Sequence, residues 1–103
     1  MPFLIDASDK PGQLAVRQNV RPDHLEYLNS QVHLLLAAGA KLSDDGATPQ
    51  GSFYLVDIED RALAEAFINA DPYMRNGVFG TVTLTRVRKG YFDFQRQPTS
   101  GKA

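Results

Sequence analysis

Ser52-Phe53-Tyr54-Leu55-Val56-Asp57-Ile58 alternates in a pattern that decides the fold. Tyr54, Val56 and Ile58 belong on one side of a strand, Phe53 and Leu55 on the other. Both sides are apolar, so both require cover. Just upstream, Asp44 to Gly51 is a polar loop rich in glycine, aspartate and proline, and Ala40 to Ser43 reads as a short strand before it. Downstream, Asp60 can cap a helix whose apolar stripe includes Leu63, Ala66, Phe67 and Ala70. Thr81 to Arg88 is rich in β-branched residues and reads as a last strand. The aromatic stretch Tyr91-Phe92-Asp93-Phe94 follows it, then a polar tail from Gln95 that is expected to fray.

Pro2 to Ser8 alternates as well, with Phe3, Ile5 and Ala7 on one side and Leu4, Asp6 and Ser8 on the other. Asp9-Lys10-Pro11-Gly12 ends that strand by turn chemistry, and a short helical stretch over Gln13 to Asn19 can follow. The first long helix is expected to start near Pro22, because proline has no N–H to leave unsatisfied at a first helical position. Its stripe is Leu25, Leu28, Val32, Leu35 and Leu36, and Gly39 is its expected stop. The order β-α-β-β-α-β is the ferredoxin-like arrangement of an α+β protein. Two helices cover one face of a four-stranded antiparallel sheet, which leaves the other face of the Ser52–Ile58 strand bare. The expected cover is a second copy, giving a homodimer joined through its sheets as an α/β barrel.

The 103 residues make one domain, residues 1–94, with a polar tail over 95–103. Hydrophobic residues are 43% and charged residues 22%, the balance of a globular protein, and a net charge of -1 gives no case for nucleic acid or an anionic membrane. No apolar run approaches the roughly 20 residues of a membrane span, and no signal pattern opens the chain. With no cysteine there is no disulfide, thiol nucleophile or thiolate metal site, and the cytoplasm is the default compartment. His24 and His33 do not have metal-ligand spacing, and Gly46 and Gly51 do not form a phosphate loop, so neither metal nor cofactor is expected.

Two proline-framed segments carry the chemistry: Arg21-Pro22-Asp23-His24-Leu25 and Ala70-Asp71-Pro72-Tyr73. A histidine with a carboxylate to orient it is the smallest acid/base constellation available here. On a wheel of about 100° per residue, His24 falls at the edge of the expected stripe, half-buried in the first turn. There the helix N-terminus disfavours a protonated ring and a carboxylate favours it. The same position suits a histidine that only packs or caps, and His33 falls on the solvated side. Asp71 is a preferred N-cap and Pro72 a preferred first residue, a role compatible with orienting a ring. Arg17 and Arg21 flank the approach to His24, and either suits an anionic oxygen; Asp9, next to Lys10 at the mouth of the first strand, can pair with such an arginine. Ser52 opens the central strand on the Tyr54 side. Tyr54, Tyr73, Phe79 and Phe3 are candidates for an aromatic wall around a flat substrate.

These two segments, in a chain of this length and element order, resemble the YCII (YciI-like) family from Phe3 to about Arg88. The resemblance implies a ferredoxin-like dimer with a His–Asp dyad in a pocket beside the sheet. The best-defined activity it implies is cofactor-free dehydrochlorination of a chlorinated hydroxyhydroquinone to a hydroxybenzoquinone. In that reading His24 and Asp71 remove the proton and Pro72 orients the dyad, while Arg17 and Ser52, helped by Asp9, bind the developing oxyanion. Other functions open to the same fold are a non-catalytic small-molecule-binding or accessory role, a muconolactone-isomerase-like reaction and a cofactor-free monooxygenase.

Overall fold

The computed structural model describes residues 1–98. Strand β1 (Phe3–Asp9) alternates strictly, and its Phe3, Ile5 and Ala7 are fully buried. Helix α1 (Leu14–Ser30) follows, then a single 3-10 turn at Val32–Leu34 and strand β2 (Leu35–Leu42). A turn leads into β3 (Pro49–Val56), followed by α2 (Arg61–Asn69), the one-turn α3 (Pro72–Arg75) and β4 (Phe79–Arg86). The sheet order is β2-β3-β1-β4 with every pairing antiparallel, which is the ferredoxin-like α+β fold expected from the sequence. Register sets the two faces. Phe3 lies opposite Val56, Ile5 opposite Tyr54 and Ala7 opposite Ser52, and this face packs against the helices. The opposite face carries Leu4, Ala37, Phe53 and Leu55.

The first helix corrects the expectation most. It begins at Leu14 and runs through Pro22, so the two pieces expected over Gln13–Asn19 and from Pro22 are one helix. An interior proline loses the hydrogen bond to the carbonyl four residues back. Here that carbonyl belongs to Gln18, and both Gln18 and Pro22 lie on the exposed side, where water can take the bond. The buried stripe is Arg17, Val20 and His24, not the expected leucines; Val32 is 64% exposed. Leu35 and Leu36 belong to β2, and Gly39 is a strand residue instead of a helix stop. A Cβ there would come within 2.9 Å of the Phe53 ring, so the glycine lets that ring lie flat across the sheet. Gly51 likewise belongs to β3 and not to the loop. A Cβ on it would meet the Ala7 carbonyl oxygen at 2.2 Å, so only glycine lets β1 and β3 approach.

Asp60 caps α2 as expected, accepting from the Ala62 N–H at 2.7 Å. The buried stripe of α2 is Ala64, Phe67 and Ile68, one position on from the expected set, with Leu63 61% exposed. Continuing that stripe by a further i+3 step brings Asp71 to the buried side. Beyond β4 the expected frayed tail begins instead with a small hairpin, β5 (Tyr91–Phe92) with β6 (Gln95–Arg96), turned by Asp93 and Phe94 at φ of 54° and 61°. The rest of the expected tail, 99–103, lies outside the described residues. No helix among the described residues is long and apolar enough to cross a membrane.

Candidate active site

His24 and Asp71 are 47 positions apart in the chain and meet inside the subunit. Nδ1 of His24 lies 2.8 Å from Oδ1 and 3.0 Å from Oδ2 of Asp71, which is fully buried. A carboxylate only accepts, so Nδ1 carries the proton and Nε2 is left free to exchange one. Two further donors fix the carboxylate: the Tyr73 N–H at 2.8 Å, as the α3 cap, and the Tyr54 hydroxyl at 2.8 Å. Burial first, and then the adjacent Asp71 charge, hold the Tyr54 hydroxyl pKa far above its usual value, so it stays a donor. Capping and orienting thus coexist at Asp71, and Pro72 at the first helical position of α3 stiffens the backbone beside it.

The imidazole is clamped from its sides as well. Tyr73 stacks on it with centroids 3.9 Å apart and planes 13° from parallel, and Tyr54 meets it edge-on at 6.4 Å. His24 sits in the interior of α1, about 15 Å from the helix start, so the positive helix end anticipated beside it acts elsewhere. A second polar cluster lies two turns back on the same face of α1. Arg17 Nη1 donates to both Asp9 oxygens at 2.9 and 3.1 Å, while Nη2 donates to the Gly51 carbonyl at 2.9 Å and to Ser52 Oγ at 2.8 Å. The Arg17 guanidinium also lies 4.6 Å from the Tyr73 ring centre, which joins the two clusters.

A cavity of about 170 Å³ opens beside this arrangement, lined by Arg17, Arg21, His24, Ser52, Tyr54 and Tyr73 among others. The structure therefore brings His24, Asp71, Pro72, Arg17, Ser52 and Asp9 into one region. Of the anticipated aromatic wall, Tyr54 and Tyr73 line the cavity and Phe79 packs edge-on against Tyr73. Phe3 does not take part: it pairs with Val56 toward the other end of the sheet and is stacked by Arg86 at 4.4 Å. The Tyr54–Asp71 bond was not anticipated; the signal was a hydroxyl two residues after Ser52 on the same buried side. His33 is exposed, as expected, and the described residues hold no cluster of three or more potential metal ligands.

Several known proteins are similar to this chain in sequence or in structure. Protein YciI from Escherichia coli O6:H1 and from Shigella flexneri are each 33% identical over 96 residues, covering 86% of this chain and 98% of theirs. Among solved structures, the 5-chloro-2-hydroxyhydroquinone dehydrochlorinase of Burkholderia phenoliruptrix, in complex with 2,5-dihydroxybenzoquinone, superposes with a TM-score of 0.79 at 29% identity. That likeness covers 85% of this chain and 94% of the dehydrochlorinase. The YCII-related domain matches residues 1–88, most of the chain, and this shows that the chain belongs to the YCII-related domain family.

Proposed function

We propose that this protein is a cofactor-independent lyase that eliminates HCl from a chlorinated hydroxyhydroquinone, leaving a hydroxybenzoquinone. The observation that carries the reading is the buried His24–Asp71 contact at 2.8 Å with a free imidazole nitrogen beside a ring-sized cavity. The likeness to a dehydrochlorinase complexed with a quinone supports the same class of ligand. In this proposal His24 Nε2 takes a hydroxyl proton from the ring and returns it to the carbon bearing chlorine. A second hydroxyl then loses its proton, and chloride leaves with the C–Cl electron pair. The step is redox-neutral overall, because the chlorine-bearing carbon is reduced to C–H as two hydroxyl-bearing carbons become carbonyls, so no external oxidant enters the balance. Asp71 holds the ring nitrogen and balances the imidazolium, and Pro72 keeps the carboxylate in place. Arg17, held by Asp9 and Ser52, contributes positive potential to the cavity wall where the oxygen gains charge. A positioned base is worth about 10²–10⁴-fold in rate.

The same proposal includes a homodimer formed through the outer sheet face, where Leu4, Ala37, Phe53 and Leu55 form an apolar band, and a cytoplasmic setting. The test is chloride release from 5-chloro-2-hydroxyhydroquinone by the purified protein. The wild type should release one chloride per turnover, and His24→Ala should lose at least about 10²-fold in rate while remaining folded. Binding of the ring without chloride release by the wild type would instead identify a binding module.

A further inference from the structure

We infer that Arg21 and the Tyr73 hydroxyl, and not the Arg17–Ser52–Asp9 cluster, grip a charged oxygen of the ligand, so that the pocket selects a monoanionic ring. The inference rests on the reading of the cavity as a ring-binding site and adds which groups read the ring's charge. Both terminal nitrogens of Arg17 are engaged, Nη1 by the Asp9 carboxylate and Nη2 by the Gly51 carbonyl and Ser52. Its charge faces the Asp9 carboxylate directly, so a ligand oxygen would have to displace that partner. Arg17 thus braces the wall.

Two groups in the same wall are differently placed. The Tyr73 hydroxyl makes no hydrogen bond among the described residues, although the residue is only 2% exposed. Among the described residues no fully enclosed side-chain polar atom lacks a partner, so this oxygen holds part of the small surface Tyr73 keeps, and Tyr73 lines the cavity. Burial raises its pKa, with Arg17 and Arg21 pulling the other way, so at neutral pH it is a donor with nothing to donate to. Arg21 lines the cavity one turn before His24 and forms no ion pair among the described residues. The charges count the same way. Arg17 is matched directly by Asp9, whereas Arg21, at the exposed rim of the cavity, touches no carboxylate among the described residues and is free to meet a ligand oxygen. A space of about 170 Å³ suits a single six-membered ring, since an engineered protein cavity of about 150 Å³ takes benzene. Hydroxyquinones are vinylogous acids that ionise readily, so their ring oxygens meet this demand.

Optical titration of the full chain with 2-hydroxy-1,4-benzoquinone, a monoanion at neutral pH, and with neutral hydroquinone tests the inference. Arg21→Gln should weaken the quinone by about 10-fold or more, as for a lost charge-assisted contact, and change hydroquinone less than about 2-fold. Arg21→Lys should recover part of the loss, and added salt should weaken the wild type but not Arg21→Gln. Tyr73→Phe, which keeps the stack on His24, should weaken both rings by about 2–10-fold with little change in melting temperature. Wild-type quinone affinity in Arg21→Gln would overturn the inference and leave the ring-binding reading standing. Failure of the wild type to bind either ring would overturn both.

Discussion

Asp71 receives the imidazole, a tyrosine hydroxyl and a backbone N–H while fully buried, so its replacement tests orientation without removing the histidine. Asp71→Asn presents an amide that can donate to Nδ1, turning the imidazole to the tautomer with a protonated Nε2. Turnover should fall by about 10²–10⁴-fold, measured as chloride release, in a protein that still folds. Tyr54 supplies a pH prediction. Its folded pKa is raised above the unfolded value near 10, so its contribution to stability is complete below pH 10. Above that pH the unfolded chain loses the proton while the folded chain keeps it, and stability falls. Tyr27 and Tyr73 are raised in the same direction by burial and add to the slope. Denaturant midpoints between pH 9 and pH 11 should decline in the wild type and decline less in Tyr54→Phe. At this scale both members of the dyad were legible as motif residues. Spacing alone did not give their contact, because 47 positions separate them and only the packing of α1 on the sheet closes the distance; the family resemblance is what implied it.

Helix α1 holds both polar clusters on one face, with Arg17 and His24 seven residues apart, and Pro22 lies in its interior on the exposed side. Proline is the poorest helix former, costing up to about 3 kcal/mol, so Pro22→Ala should raise the melting temperature. An unchanged or lower melting temperature would show that Pro22 itself contributes to the packing of α1. Gly51→Ala should act in the other direction, destabilising the fold by about 1–3 kcal/mol, because its Cβ would meet the Ala7 carbonyl at 2.2 Å. The strands with strict alternation, β1 and β3, were legible because period two admits one reading. The run Leu34-Leu35-Leu36-Ala37-Ala38 was not: a continuous apolar stretch fits a helix and a buried strand equally well. Pro22 misled for a related reason, since its first-turn preference hides the fact that an exposed mid-helix proline is tolerated. The Asp93–Phe94 turn carries no glycine at its positive-φ positions, so the hairpin it makes left no mark in the sequence.

The topology followed from the element sequence, since the β-α-β-β-α-β order survives errors of several residues at each boundary. The outer sheet face is where the proposed second copy would sit. Leu55→Glu, on the central strand of that band, should convert a dimer to a monomer in size-exclusion chromatography with light scattering, whereas Leu63→Glu on exposed α2 should leave the dimer intact. Equal elution of both variants with the wild type would remove the sheet face as the interface.

The central claim is that His24 and Asp71 operate as one acid/base unit, and a double-mutant cycle on chloride release measures it directly. Steady-state kcat/KM for the wild type, His24→Gln, Asp71→Asn and the double variant gives the coupling. If the dyad acts as a unit, the double variant loses no more than about the larger single loss, because either change alone already disables the proton transfer. Losses that multiply, or a His24→Gln variant that releases chloride at the wild-type rate, would contradict the account.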